Sequence, residues 1–333
     1  MESVDLHVLN TLADWLAAGK RAWLATVTQT WGSAPRPVGA LAAFCEDGRL
    51  VGSVSGGCVE DDLIERLKSR ALARSLPEVA VYGVTNEEAR RFRLPCGGTL
   101  KLVVEPITEA EWVAALIIAI ARRELIARRL DVATGDTQLA PADADQKLFF
   151  DERTLIAVYG PRWRLALIGA SEVSRYLAEI GLALNYEVLV CDPRQEYVAS
   201  WDFPSVEVTQ TMTDDFVVAL KPDSRTAILT LSHDPKHDDL ALLEALKSDA
   251  SYVGAMGSKK TNADRRERLA LFDLSPAQIA RLRGPVGLPV GSRTPPEIAV
   301  AILGELIGLR NGIELAQAKT KAESVAYRVA TAG

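Results

Sequence analysis

The sequence predicts an α/β protein in two parts: an N-terminal α+β domain, and a C-terminal domain in which parallel strands alternate with helices. Short apolar runs surround one helical stretch in the first third of the chain, whereas strand, helix and strand follow one another from Arg164 onward. At 333 residues, 48% hydrophobic and 25% charged, the chain is long enough for two packed domains. The predicted limits are 1–106 for the first domain, 107–163 for a helical connector and 164–333 for the second domain.

Composition excludes several classes of protein. A net charge of −6 at pH 7 provides no electrostatic footprint for nucleic acid, so no nucleic-acid partner is expected. The longest apolar stretch, 112–121, is far below the ~20 residues needed to cross a bilayer, and no membrane span is expected. Four cysteines are too few for a disulfide scaffold, and the N-terminus lacks a basic segment followed by an apolar one. A cytoplasmic protein with reduced thiols is therefore expected.

Apolar periodicity predicts the elements of the first domain. An amphipathic helix is expected over 5–19, and a second helix over 56–74 that opens at two glycines. Short strands are expected around the second helix, over 22–28, 40–44, 49–54, 79–83 and 100–105.

A third helix is predicted over 109–129, followed by a connecting segment that carries a hairpin. Four arginines of this helix form a basic patch, which is interpreted as a solvated helix face. They are Arg122, Arg123, Arg128 and Arg129.

The second domain begins with a βαβ unit. A buried strand over 165–168, a turn at Gly169, a helix over 172–184 and a strand over 187–191 end at Asp192. This spacing predicts a Rossmann-like parallel α/β fold in which the acid can bind ribose hydroxyls. The glycine fingerprint is defective, because Ser171 and Ser174 stand where the second and third glycines would be. NAD binding therefore does not follow from the fold.

The most informative stretch is Ser55-Gly56-Gly57-Cys58, which precedes an acidic helical run containing Glu60. The two glycines allow a tight turn, and the first turn of the next helix leaves amide N–H groups without partners. Such a site attracts anions and favours a thiolate, so Cys58 is expected to be nucleophilic or to hold sulfur or metal. The alternative is a small turn that simply packs tightly.

The other three cysteines fall into two groups. Cys96 has a setting like that of Cys58, in Pro95-Cys96-Gly97-Gly98. Cys45 and Cys191 lie in apolar strand-like runs and are interpreted as inert core residues.

Two later loops follow predicted strands, at the edge where ligands bind in doubly wound sheets. The first, 232–239, contains His233, Asp234 and His237, but its proline and its spacing disfavour a metal site, and no metal site is predicted. The second carries Gly257 and Ser258 into a helix N-terminus, which suits phosphate or carboxylate. The alternative for the second loop is an ordinary capped helix.

Taken together, these motifs resemble the XdhC/CoxI family, the accessory proteins of molybdenum hydroxylases such as xanthine dehydrogenase. The resemblance covers nearly the whole chain. It rests on residues 32–40, 52–60, 95–98, 191–194, 232–238, 252–258 and 285–300. Two positions depart from the family pattern: its Gly-x-Gly-His appears as Gly169-Ala170-Ser171-Glu172, and its threonine before His-Asp is Ser232. The first departure weakens the expectation of pyrophosphate binding by that turn.

The resemblance implies a chaperone that binds molybdenum cofactor, assists its sulfuration with a cysteine desulfurase and delivers it to a molybdenum hydroxylase apoenzyme. Cys58 and Cys96 are then expected to carry persulfide sulfur or contact the molybdenum centre. The cofactor, molybdopterin or its dinucleotide form, is anionic and suits amide-rich turns and arginine. The residues expected to bind it are Arg36, Ser55, Gly56, Gly57, Glu60, Gly97, Gly98, Gly169, Asp192, Arg194, His233, Asp234, Gly257 and Ser258.

Two other classes of function stay open from the residues alone. An NAD(P)-dependent Rossmann oxidoreductase would place Asp192 on the adenosine ribose, and the missing glycines disfavour it. A pure scaffold would make the cysteine-glycine turns unnecessary. A cofactor-binding maturation factor is preferred over a stand-alone enzyme, and a homodimer is compatible with the chain.

Overall fold

The computed structural model describes residues 4–31, 36–83 and 99–313. The chain divides into two compact units, one up to Pro161 and one from Arg162 onward. This division lies close to the predicted start of the second domain. The exact limits 1–106, 107–163 and 164–333 stay a prediction.

A five-stranded antiparallel sheet forms the centre of the first unit. Its strands are β1 (Ala22–Trp31), β2 (Leu41–Cys45), β3 (Leu50–Gly52), β4 (Glu78–Tyr82) and β5 (Thr99–Ile107). Their order in the sheet is β3-β2-β1-β5-β4, and the five predicted strands are confirmed.

Helices cover both faces of this sheet. They are α1 (Val4–Ala17), α2 (Cys58–Lys68) and α3 (Glu111–Ala121). Alternate residues of β1 point to opposite faces, so Trp23 packs in the core with α2, whereas Leu24 packs in the core with α1 and α3. Burial on both faces explains why the first six residues of β1, 22–27, are apolar except for one threonine.

The remainder of the first unit departs from the sequence prediction. The helix predicted over 109–129 is wrong beyond Ala121, where the chain turns through Arg123 in a left-handed conformation (φ 64°). It continues as a four-stranded antiparallel sheet of order β7-β6-β9-β8. These strands are β6 (Ile126–Asp131), β7 (Thr137–Pro141), β8 (Phe149–Phe150) and β9 (Thr154–Tyr159).

Arg128, predicted to lie on a solvated helix face, is instead buried in β6, with 2% of its surface exposed. Its guanidinium donates to both carboxylate oxygens of Glu105 in β5, at 2.7 and 2.5 Å. Its Cζ lies 3.7 Å from the ring centroid of Trp112, and Nη2 donates to Thr137. A charge this deeply buried needs a partner, and Glu105 supplies it across two sheets of the unit.

The second unit is a six-stranded parallel sheet of order β12-β11-β10-β13-β14-β15. Its strands are β10 (Arg164–Ile168), β11 (Glu187–Cys191), β12 (Val208–Thr209), β13 (Thr226–Thr230), β14 (Tyr252–Ala255) and β15 (Leu282–Arg283). Counted from β10, this is the strand order 3-2-1-4-5-6 of dinucleotide-binding Rossmann folds. The predicted Rossmann-like fold is confirmed.

Helices cover both faces of the parallel sheet. In chain order they are α4 (Glu172–Ala183), α5 (Gln195–Ala199), α6 (Thr213–Leu220), α7 (Pro235–Ala245), α8 (Lys259–Leu269), α9 (Pro276–Ala280) and α10 (Pro295–Arg310). One core packs α4 and α10 on the sheet, and another packs α6, α7 and α8 on it. Because β10, β11, β13 and β14 are parallel neighbours, their carboxyl ends share one edge of this sheet, and the loops that follow them lie side by side. Among the described residues, no helix is both long and apolar enough to span a bilayer.

Breaking the buried ion pair by Arg128→Met is expected to destabilise the first unit by about 3 to 5 kcal/mol, because Glu105 would be left buried and unpaired. Replacing both partners, with Glu105→Leu added, is expected to recover most of this loss. Urea denaturation measures the free energy of unfolding. The control is Arg153→Met, which breaks an exposed pair with Asp131 and should leave the free energy of unfolding nearly unchanged. Equal losses in the two single variants would contradict this account.

Candidate functional site

The loop between β3 and α2 is organised by Glu60, whose side chain is 2% exposed. Its Oε1 accepts hydrogen bonds from the hydroxyl of Ser53 at 2.7 Å, and from the backbone N–H groups of Val54, Ser55 and Gly56 at 2.8, 2.8 and 3.1 Å. Its Oε2 accepts from the backbone N–H of Gly57 at 2.9 Å and from the hydroxyl of Ser55. The sequence predicted that this loop would offer its amides to a ligand. In the structure, the amides of residues 54–57 point at a carboxylate of the same chain.

The glycines are needed for this geometry. Gly56 and Gly57 have φ values of 95° and 147°, which residues with a Cβ rarely adopt. Gly57 precedes the first helical residue, and Glu60 reaches back from the third helical position to its N–H, the carboxylate half of a capping box. The predicted helix start at Cys58 is confirmed.

Glu60 stays ionised in this setting. Burial alone would raise its pKa, but hydrogen bonds from Ser55, Ser53 and Gly57 outweigh burial and lower the pKa from 4.5 to about 2. The loop therefore contains a fixed negative charge at neutral pH.

Arg36 supports the same loop from outside. Its Nε donates to the backbone carbonyl oxygen of Ser53 at 3.2 Å, and its side chain is half-buried. Of the residues predicted to bind cofactor, the fold thus brings Arg36, Ser55, Gly56, Gly57 and Glu60 together beside Cys58. Cys96, Gly97 and Gly98 lie outside the described residues.

The described cysteines differ in exposure. Cys45 and Cys191 are buried in strands, as predicted, and burial raises the pKa of Cys191 to about 12. Cys58 is partly exposed, at the first position of α2. It is therefore the accessible thiol among the described residues.

The turn after β10 is closed by its neighbours. Gly169 has φ 105°, and a Cβ built there would lie 2.5 Å from Cα of Ser232 in the loop after β13. The glycine is needed because two loops of the domain approach each other, and this explains it without any pyrophosphate. The N–H of Ala170 donates to Oδ2 of Asp192 at 2.8 Å.

Asp192 is fully buried, and its carboxylate is occupied within the domain. Besides the Ala170 N–H, it accepts from Nε, Nη2 and the backbone N–H of Arg194, at 2.9, 2.7 and 3.0 Å. Burial opposes ionisation, but the bonds from Arg194 and Ala170 dominate and lower the pKa of Asp192. Arg194 also stacks on Tyr197, with 3.6 Å from its Cζ to the ring centroid.

This arrangement leaves Asp192 no free lone pair for a ligand. The acid that would bind ribose hydroxyls already accepts four hydrogen bonds within the domain, from Ala170 and Arg194. A ligand contact by Asp192 stays a prediction, and it would require Arg194 to leave the carboxylate.

The loop after β13 is held by a second buried acid, Asp238, which is 2% exposed. It accepts the hydroxyl of Ser232 at 2.7 Å, the N–H of Ser232 at 3.2 Å and Nη2 of Arg265 at 3.0 Å. Burial is the largest influence and raises the pKa of Asp238 in spite of these bonds. His233 is left exposed with φ 60°, whereas Asp234 caps α7 by accepting the N–H of Lys236.

The loop after β14 leads into α8 as predicted, with Ser258 as N-cap accepting the N–H of Thr261 at 3.0 Å. Two buried side chains of α8, which were not predicted from the sequence, hold this loop. Asn262 donates to the carbonyl oxygens of Gly257 and Ser258, and Arg265 donates to that of Met256. The sequence feature that could have revealed them is a pair of polar residues three positions apart, on a helix that begins at the carboxyl end of a sheet strand.

Within residues 4–31, 36–83 and 99–313, no three metal-binding side chains converge. In the second unit, Gly169, Asp192, Arg194 and Ser232 form one cluster, and His233, Asp234, Gly257 and Ser258 lie in the loops at the same sheet edge.

Comparison with known proteins assigns both units to one class. Residues 15–83 match the model of the XdhC and CoxI family, and residues 165–306 match that of the XdhC Rossmann domain. The chain belongs to the XdhC and CoxI family.

Two curated relatives match along most of the chain. The molybdenum cofactor insertion chaperone PaoD of Escherichia coli (strain K12) is 25% identical, over 91% of this chain and 88% of PaoD. A Bacillus subtilis (strain 168) protein, named as a probable xanthine dehydrogenase subunit, is 27% identical, over 88% of this chain and 94% of that protein.

A crystal structure described as a xanthine dehydrogenase from Bacillus halodurans has a TM-score of 0.70 and 24% identity, covering 96% of this chain and 98% of that chain. This likeness shows that the two chains share a fold.

Gly169→Ala is expected to destabilise the second unit by about 3 kcal/mol or more, since it combines left-handed strain with a backbone clash. Gly291→Ala is the matched control, because Gly291 also has positive φ but its Cβ would meet nothing within 4 Å. The control should lose only about 1 to 2 kcal/mol. Thermal denaturation compares the two, and equal losses would show that Ser232 does not crowd the turn.

Glu60→Gln is expected to cost about 2 to 3 kcal/mol at pH 7, because the amide is uncharged and its nitrogen cannot accept the hydrogen bonds that one carboxylate oxygen accepts. Folding lowers the pKa of Glu60 from 4.5 to about 2, so its stabilisation is full above pH 4.5 and disappears as the pH falls toward 2. The stability gap between wild type and variant should narrow over that range. Denaturation at successive pH values measures it, with the exposed Asp61→Asn as control; a gap independent of pH would refute the role of the charge.

Proposed function

We propose that this chain binds molybdenum cofactor, supports its sulfuration and inserts it into a molybdenum hydroxylase such as xanthine dehydrogenase. Membership of the XdhC and CoxI family and the likeness to PaoD support this function. The structural observation that carries it is the partly exposed thiol of Cys58 at the start of α2, which follows a loop fixed by buried hydrogen bonds from Val54 and Ser55 to Glu60.

The chemistry of the Cys58 thiol suits the molybdenum cofactor. Sulfur ligands suit soft metal centres, and a cysteine that is accessible at a fixed position can hold the molybdenum centre or carry persulfide sulfur. Cys96 is proposed for the same task. A cysteine desulfurase supplies the sulfur, and the hydroxylase apoenzyme receives the loaded cofactor.

The second unit is proposed to bind the anionic part of the cofactor. The N-terminus of α8 behind Gly257 and Ser258 presents amide N–H groups, and His233 is exposed at the same sheet edge. Arg194 supplies a cation there, although its guanidinium is paired with Asp192. We also propose that the protein acts in the cytoplasm as a homodimer. Its cofactor is either the mononucleotide or the dinucleotide form of molybdopterin.

Cys58→Ala is expected to weaken binding of molybdenum cofactor at least about tenfold, the equivalent of about 1.4 kcal/mol. Cys45→Ala is the matched control, because Cys45 is a buried strand residue and its loss should leave binding intact. Equilibrium binding to the purified protein gives the affinities. Absence of binding by the wild type, or normal binding and sulfuration by both Cys58→Ala and Cys96→Ala, would overturn the proposal.

The oxidoreductase alternative predicts saturable binding of NADH or NADPH with turnover. Because the carboxylate of Asp192 is occupied by Arg194 and Ala170, we expect neither nucleotide to bind in the dinucleotide manner. Titration followed by nicotinamide fluorescence tests this. Saturation accompanied by hydride transfer would favour the enzyme over the chaperone.

A further inference from the structure

Four consecutive backbone N–H groups, those of residues 54–57, converge on one carboxylate in the loop before Cys58. Successive amides arranged in this way form a concave cradle that in many proteins receives a phosphate or another external anion. Here the anion in the cradle is the side chain of Glu60. Two serine hydroxyls, from Ser53 and Ser55, complete its shell.

We infer that Glu60 is a positioning residue that fills this anion cradle from inside, so that the loop presents the sulfur of Cys58, and not its amides, to the cofactor. The inference rests on the proposed function and deepens it, because it has the loop contact the molybdenum and sulfur atoms of the cofactor and not its phosphate. The phosphate part then has to bind elsewhere.

The hydrogen-bonding capacity of the cradle supports this assignment. A carboxylate offers about four lone-pair sites, and Glu60 receives six donors, so its capacity to accept is saturated. A phosphate that entered the cradle would have to expel a buried, ionised group that is tethered three residues from Gly57. The same negative charge would repel a phosphate that approached without expelling it.

The structure also shows why the carboxylate positions Cys58. Gly57 has no side chain with which to cap α2, so the carboxylate at the third helical position fixes the loop that enters the helix. Arg36 holds the opposite end of the same loop through the carbonyl oxygen of Ser53. The thiol therefore projects from a segment restrained at both ends.

Hydrogen exchange of the backbone amides of 54–57 tests the cradle directly. In the wild type these amides are expected to be protected, and in Glu60→Ala they should exchange about tenfold faster or more, as for the loss of hydrogen bonds to a charged group. Asp61→Ala, which removes an exposed acid from the same helical turn, should exchange like the wild type. Sodium formate, but not sodium chloride at equal ionic strength, should restore protection in Glu60→Ala, since formate supplies the missing carboxylate.

Inorganic phosphate provides the second measurement, made on the unaltered protein. It is expected to change neither the exchange of these amides nor the rate at which iodoacetamide alkylates Cys58. Slower exchange with phosphate, or equal exchange in Glu60→Ala and wild type, would overturn the inference, as would failure of formate to restore protection. The phosphate measurement decides the question even if the variants do not fold.

These outcomes are separate from those of the proposed function. Exchange and alkylation require no molybdenum cofactor, so a protein that fails to bind the cofactor can still show a filled cradle. Conversely, cofactor binding that depends on Cys58, together with phosphate bound at 54–57, would leave the chaperone function intact and refute only the internal role of Glu60.

Discussion

The carboxylate of Glu60 is the interaction on which the candidate site depends. A loop of serines and glycines has little side-chain packing of its own, and its backbone N–H groups must find acceptors if they are not to be stranded away from water. One buried acid accepts from four of them and from two hydroxyls at once, and the N–H of Gly56 is shared with the hydroxyl oxygen of Ser53. The position of Cys58 at the start of α2 follows from that arrangement.

The same solution recurs in the second unit. Asp192 holds the turn after β10 by accepting the N–H of Ala170, and Asp238 holds the loop after β13 by accepting both donors of Ser232. Each is paired with an arginine, Arg194 or Arg265, which offsets the cost of burying the charge. Loops at these strand ends are thus ordered by internal anions, and the acid at the end of β11 is occupied within the domain.

Much of the fold could be predicted from the sequence, because hydrophobic periodicity and turn residues are local signals. The five strands of the first sheet and the opening βαβ unit lie close to their predicted ranges. The helix predicted over 109–129 failed beyond Ala121, where the apolar helical pattern runs into the arginine-rich strand β6. A buried arginine in a strand is intelligible only once its partner Glu105, distant in sequence, lies beside it.

The sequence by itself determined the order of elements, the helix starts at Cys58 and Ser258, and the family to which the motifs belong. These depend on spacing, glycine conformation and capping, which act between near neighbours. Tertiary structure decided what holds the loops of the second unit, because Asp192 and Arg265 bind groups 22 and 27 residues away in the chain. Glu60 lies only three to seven residues from its donors, but its bonds become apparent only when the loop before Cys58 is folded. The sequence predicts that Ser55-Gly56-Gly57-Cys58 is an open anion site. In the structure, its amides instead donate to the carboxylate of Glu60.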